Sequence, residues 1–100
     1  MTSSAHILTP TASGHVARLC ALFERETDVL CWGRRGQIDF RDGTCTLVAR
    51  PGALALRIEA DDAETVARLA GIVGRRLAEV QRGLRVAWSP ARNVDIPSRD

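Results

Sequence analysis

The sequence predicts an α+β domain in which two amphipathic helices pack on one face of an antiparallel sheet of about five to six strands. Two segments repeat apolar residues at helical spacing, and the remaining segments alternate apolar and polar residues or form short apolar runs. Short glycine-containing breaks separate successive strands, which indicates antiparallel neighbours. The predicted order is β-α-β-β-β-β-α-β.

The first strand and the first helix are predicted in the N-terminal quarter of the chain. Residues 5–9 form a β-prone run that Pro10 ends, and residues 11–14 offer several helix caps. A helix that begins near Ser13 has the pattern of an amphipathic helix with one buried face. Its apolar positions are Val16, Leu19, Cys20 and Phe23.

Four strands are predicted to follow, over residues 29–32, 37–40, 44–49 and 53–60. Each break between them ends in glycine, which supplies the positive φ of a tight turn. These breaks are Arg34-Arg35-Gly36, Arg41-Asp42-Gly43 and Pro51-Gly52. Because Leu54, Leu56 and Ile58 alternate with more polar residues, one face of the sheet is expected to be buried and the other partly solvated.

The second helix is predicted over residues 61–81. Asp61 and Glu64 match a capping box, with Asp61 as the N-cap. Gly71 and Gly74 lie inside this helix, where each costs about 1 kcal/mol relative to alanine. We therefore expect either a close approach to the sheet or the first helix at these glycines, or a kink.

The C-terminal part is predicted to add one more strand. Gly83 is placed to end the second helix, residues 84–88 form the strand, and Pro90 ends it. Residues 1–90 then make a single α+β domain, and residues 91–100 make a flexible polar tail.

The composition is that of an ordinary folded domain rather than a disordered or membrane-spanning chain. Hydrophobic residues make up 45% of the 100 residues and charged residues 26%. All 14 basic residues are arginine, and the net charge of +2 lacks the electrostatic signature of a nucleic-acid binder. The N-terminus has no basic start followed by an apolar run. We therefore expect a cytoplasmic protein with no nucleic-acid or membrane partner.

Thiol and imidazole groups are the candidate metal ligands and catalytic groups of this sequence. Their spacings match no zinc or redox motif, so the cysteines are predicted to be reduced and buried. His15 is predicted to be solvated. No nucleophile motif or glycine-rich phosphate loop accompanies them, so we predict no catalytic residue, no metal and no cofactor, and an enzyme is not favoured. The residues concerned are Cys20, Cys31, Cys45, His6 and His15.

Two tryptophans and several arginines leave alternatives open. Trp32 and Trp88 are either core residues or part of a docking surface on the less covered sheet face, with Arg57 and Arg85 beside them. On the second helix Arg68, Arg75 and Arg82 repeat every seven residues. This stripe either receives an acidic partner or is a solvated helix face with local ion pairs.

Several short segments, in order and spacing, resemble a bacterial family. They are Gly36-Gln37-Ile38-Asp39-Phe40, Asp42-Gly43-Thr44-Cys45, Leu54-Ala55-Leu56-Arg57-Ile58-Glu59-Ala60-Asp61 and Leu84-Arg85-Val86-Ala87-Trp88. Over residues 5–90 the chain resembles the Domain of Unknown Function 2218 family. Members of that family commonly carry histidine just after the first-helix cysteine, whereas here Cys20 is followed by Ala-Leu-Phe-Glu.

The resemblance implies a small bacterial cytosolic protein linked to siderophore-interacting flavoproteins, and hence to iron handling. We accordingly expect a non-catalytic binding or accessory module that docks to such a flavoprotein or to a second copy of itself. The alternative is a small-ligand or metal-binding protein, for a ferric chelate or similar molecule, with its site between the helices and the sheet.

Overall fold

The computed structural model describes residues 1–82, 86 and 88–90. Its elements in chain order are β1 (Thr2–Leu8), α1 (Ala12–Phe23), β2 (Asp28–Trp32), β3 (Arg35–Phe40), β4 (Gly43–Arg50), β5 (Ala53–Ala60), α2 (Ala63–Val80) and β6 (Ser89–Pro90). Neighbouring strands are antiparallel and lie in the order β2-β3-β4-β5-β1-β6. The α+β class and the element order are confirmed.

Strand register gathers the apolar side chains on one face of the sheet. Leu56 on β5 pairs with Ala5 on β1 and with Leu47 on β4. The cross-strand rows on either side of Leu56 also bring mostly apolar side chains to this face. Helix α1 packs on β2 to β5, α2 packs on β5, β1 and β4, and the helices contact each other. Both helices therefore cover this one face, and the core lies between them and the sheet. We call the other side of the sheet the open face.

A turn does lie at Arg41 and Asp42, but the predicted placement of Gly36 and Gly43 in turns is wrong, because both glycines lie within strands. The turn between β2 and β3 is at Gly33 and Arg34, and Gly33 has a φ of 63°. A Cβ added at Gly36 would lie 2.7 Å from Sγ of Cys20. Gly36 is therefore explained by the close approach of α1 to β3.

Gly43 has a similar explanation at the start of β4. A Cβ at this position would lie 2.5 Å from Cδ1 of Leu69 and 2.7 Å from the carbonyl oxygen of Glu59. The side chain is absent because α2 and the backbone of β5 occupy its place.

The N-cap of α2 is Asp62, one residue after the predicted Asp61. Its carboxylate Oδ1 accepts a hydrogen bond of 2.7 Å from the backbone N–H of Thr65. Hydrogen bonds from Thr65 lower the pKa of Asp62 below its ordinary value. The helix ends at Val80, while Gly83, the predicted terminator, lies outside the described residues.

The last strand is two residues long and begins later than predicted. Ser89 and Pro90 pair with Ser4 and Ser3 of β1, so Pro90 lies in β6 instead of ending the strand before it. Proline is compatible with this position because β6 is an edge strand. Within the predicted strand 84–88, Val86 and Trp88 do not belong to a strand, and the other three residues are not among those that the structure describes. The predicted tail, residues 91–100, likewise lies outside the described residues.

Candidate functional site

The predicted docking residues lie on two different sides of the sheet. Trp32 is on the open face of edge strand β2, with 52% of its surface exposed. Arg57 is also on the open face, on β5, and its guanidinium lies 3.3 Å from Glu59. Trp88 packs against the core on the helix side, and Arg85 lies outside the described residues. The two tryptophans therefore do not form one surface.

Most of the open face is polar. Cross-strand pairing places Leu30 in one row with Gln37, Thr46 and Arg57. Leu30 and Trp32 are nevertheless more than half exposed, so they form a small apolar patch at the β2 edge. We call these two residues the edge patch.

An apolar groove lies beside α2. On one side it is lined by the helix residues Ala67, Ala70, Gly71, Gly74 and Ala78, and on the other by Thr2, Ser3, Val86 and Trp88. Its volume is about 810 Å³. We call this feature the α2 groove.

Small side chains on α2 keep the groove open. Among the described residues, no heavy atom lies within 4 Å of the position that a Cβ would take at Gly71 or at Gly74. The predicted close approach of these glycines to the sheet or to α1 is therefore wrong. They face open space, and α2 continues unbroken through both of them.

Arg75 lines the α2 groove and differs from the neighbouring arginines of the helix. Arg68 forms a salt bridge with Asp42. The guanidinium of Arg76 lies 3.6 Å from the carboxylate of Glu26 and 3.2 Å from that of Glu79. Among the residues that the structure describes, Arg75 forms no ion pair. An exposed cation without an internal partner is available to an anionic group in the groove.

The cysteines are only partly as predicted. Cys20 and Cys45 are buried, but Cys31 is exposed because it lies on the edge strand β2. Burial raises the pKa of Cys20 to about 12, and the neighbouring Cys31 adds to this effect. Burial also raises the pKa of Cys45 to about 12, with a smaller contribution from Cys20.

The two histidines lie apart from each other. His6 is exposed on the open face of β1. His15, predicted to be solvated, is only 7% exposed: its Nε2 is 2.8 Å from Oε1 of Gln81, and its Nδ1 is 3.4 Å from Oγ1 of Thr11. It thus links the start of α1 to the end of α2. Within residues 1–82, 86 and 88–90, no three His, Cys, Asp or Glu side chains are grouped so as to hold a metal ion.

Sequence comparison assigns the chain to a family. The model of Domain of Unknown Function 2218, described as an uncharacterized protein conserved in bacteria, matches residues 4–89. The chain belongs to this family. Comparison with curated proteins gave no match.

A solved structure supports the fold of this Domain of Unknown Function 2218 member. The chain is similar to the NMR structure of PA4090 from Pseudomonas aeruginosa, with 30% identity and a TM-score of 0.77. The match covers 90% of this chain and 96% of PA4090. In the described part of the chain, neither helix has the length and apolar character needed to cross a membrane.

Proposed function

We propose that this domain is a non-catalytic binding protein whose α2 groove takes a small acidic amphiphile, a molecule with an apolar body and one carboxylate. The observation that carries the proposal is an apolar groove whose lining includes Arg75, a cation that forms no ion pair with any residue that the structure describes. A pocket of this kind, with few polar groups, is the usual form of a small-molecule site.

The dimensions of the α2 groove support this ligand class. Its volume of about 810 Å³ lies within the common range for small-ligand sites. Decanoate is a suitable probe because its chain can lie along the alanines and glycines of α2 while its carboxylate meets Arg75. At about 0.3 kcal/mol for each of its roughly twelve non-hydrogen atoms, the binding free energy is about 4 kcal/mol, which corresponds to a Kd of about 1 mM.

The test uses Trp88 as the reporter of binding. In a Trp32→Phe background Trp88 is the remaining tryptophan, so a saturable change in its emission on addition of decanoate reports the α2 groove. Because Arg75 is exposed, Arg75→Gln should weaken decanoate binding by about two- to fivefold. It should leave the binding of uncharged decanol unchanged. An absence of saturation, or an equal effect on both probes, would contradict the proposal.

A second pair of variants separates the groove from general effects on the helices. Gly74→Leu places a large side chain in the open space of the α2 groove and should abolish decanoate binding. Gly14→Ala changes a glycine of α1 that also has no neighbour within 4 Å in the described part of the chain and does not line the groove, so this variant should bind decanoate normally. Normal binding by Gly74→Leu would place the ligand elsewhere.

The edge patch favours a second function, docking to a protein partner. Leu30 and Trp32 are 57% and 52% exposed, and β2 has an unpaired strand edge to offer. The family resemblance implies a siderophore-interacting flavoprotein as this partner, in the bacterial cytoplasm, and thereby a role in iron handling. Docking to a second copy is the competing outcome.

Light scattering after size-exclusion chromatography tests this second function. The domain is measured alone and with a purified siderophore-interacting flavoprotein. A complex that Trp32→Ser abolishes would support docking through the edge patch. Leu8→Ser is the matched control, because Leu8 is 86% exposed on the same face but on β1. A complex equally weakened by both variants, a concentration-dependent dimer of the domain alone, or no complex would contradict the flavoprotein partner.

A further inference from the structure

Cys20 and Cys31 come together where α1 crosses the edge of the sheet. Cys31 on β2 is directly opposite Gly36 on β3, and Sγ of Cys20 lies 2.7 Å from the position of a Gly36 Cβ. The missing side chain at Gly36 leaves room for the Cys20 thiol beside Cys31. Cys31 and Gly36 are cross-strand partners on the same face of the sheet, so the Cys20 and Cys31 thiols are neighbours. They are eleven residues apart in the chain, and the sequence spacing alone did not indicate the pair.

The two thiols differ in their access to solvent. Cys31 is exposed, whereas Cys20 is only 4% exposed. Cys45, the third cysteine, is fully buried beneath the helices and pairs across the strands with Ile38 and Ile58. A reagent in solution therefore reaches Cys31 first, and the nearest thiol that can follow is that of Cys20.

We propose that Cys20 and Cys31 are a redox modification site that a low-molecular-weight disulfide, such as glutathione disulfide, oxidises to an intramolecular disulfide. The deprotonated sulfur of Cys31 attacks one sulfur of the reagent, forming a mixed disulfide and releasing one glutathione thiolate. The Cys20 thiol then loses its proton and attacks Sγ of Cys31, forming the Cys20–Cys31 bond and releasing the second glutathione. The protein loses two hydrogens, and the reagent is reduced to two thiols.

The second step depends on the proximity of the two sulfurs. Burial holds the pKa of Cys20 at about 12, which disfavours its thiolate. Attack within one molecule is assisted by a high effective concentration, and this offsets the small thiolate fraction. The resulting bond would tie the edge strand β2 to α1.

The experiment treats the reduced full-length chain with excess glutathione disulfide under native conditions, then unfolds it in denaturant and blocks the remaining thiols with N-ethylmaleimide. Intact mass and peptide mapping should show one disulfide between Cys20 and Cys31 and one blocked thiol at Cys45. Cys31→Ser should leave both remaining thiols unmodified by glutathione. Cys45→Ala, a matched removal of a buried thiol, should still form the disulfide.

Three results would overturn the proposal. The first is a stable glutathione adduct on Cys31 with Cys20 still free. The second is a link between Cys20 and Cys45. The third is a Cys31→Ser variant in which glutathione modifies Cys20 as fast as it oxidises the wild type. That result would show that the reagent does not react first with Cys31.

Discussion

The interior glycines of α2 provide a quantitative test of the open groove. We expect Gly71→Ala and Gly74→Ala each to raise the free energy of unfolding by about 0.8–1.0 kcal/mol, because alanine has the higher helix propensity. We expect no steric cost to offset this gain, since no heavy atom of residues 1–82, 86 and 88–90 lies within 4 Å of either added Cβ. The double variant should therefore gain about 2 kcal/mol, or about 8–16 °C in Tm for a domain of this size.

Urea and thermal unfolding followed by circular dichroism measure these changes. Unchanged m-values would show that the substitutions act on stability and not on the denatured state. A neutral or negative effect of either substitution at an unchanged m-value would refute the reasoning, because it would mean that another part of the molecule occupies the groove.

Two other glycines give the matched control with the opposite sign. The same change at Gly36 or Gly43 places a Cβ 2.7 Å from Sγ of Cys20 or from the carbonyl oxygen of Glu59, respectively. Overpacking of this kind costs about 1–3 kcal/mol. Gly43→Ala should be the more damaging because a backbone oxygen cannot rotate away. Stabilisation by all four alanine substitutions would contradict the structural distinction between open and crowded glycines.

Three further predictions concern the packing and capping of the helices. Hydrogen bonds from Thr65 lower the pKa of Asp62, so the Asp62 carboxylate stabilises the fold at any pH above its unfolded-state pKa. This contribution is lost as the pH falls through the folded-state pKa. Asp62→Ala should therefore lower the urea midpoint at neutral pH and match the wild type in acid. Phe23 is 1% exposed, and its ring packs edge-on to the ring of Phe40 with 5.5 Å between the ring centroids. Phe23→Ala should therefore lower the free energy of unfolding in urea by about 3–5 kcal/mol. A decrease below about 1 kcal/mol would contradict the burial of Phe23. A double-mutant cycle of His15→Ala and Gln81→Ala should give a coupling of about 0.5–1.5 kcal/mol, whereas additive effects would show that their hydrogen bond contributes nothing.

The limits of the sequence prediction are clearest at the strand ends. Strand β1 begins at Thr2 and not at residue 5, because Thr2 pairs with Glu59 although its polar neighbours carry no hydrophobic signal. At Gly36 and Gly43 the local pattern could not distinguish a turn from a close approach, since that difference depends on a side chain far away in the sequence.

The candidate site was less predictable than the fold. The sequence contains the small residues of α2, but a helical pattern does not show whether glycines are crowded or open. Trp88 and Arg75 line the same groove only because residues 88–90, far from β1 in the sequence, lie beside β1 and α2. The separation of Trp32 from Trp88 likewise follows from which face of the sheet each one joins.

The sequence by itself determined the α+β class, the element order and the buried side of β5, because these follow from periodicity within one element and from short connections between neighbours. Only the tertiary structure decided that Arg75 lies beside an apolar groove, without an ion pair to any described residue, and that Cys20 lies against Cys31. Both features depend on contacts between elements that are far apart in the sequence. Strand register and helix placement bring these elements together, and no local sequence pattern specifies either.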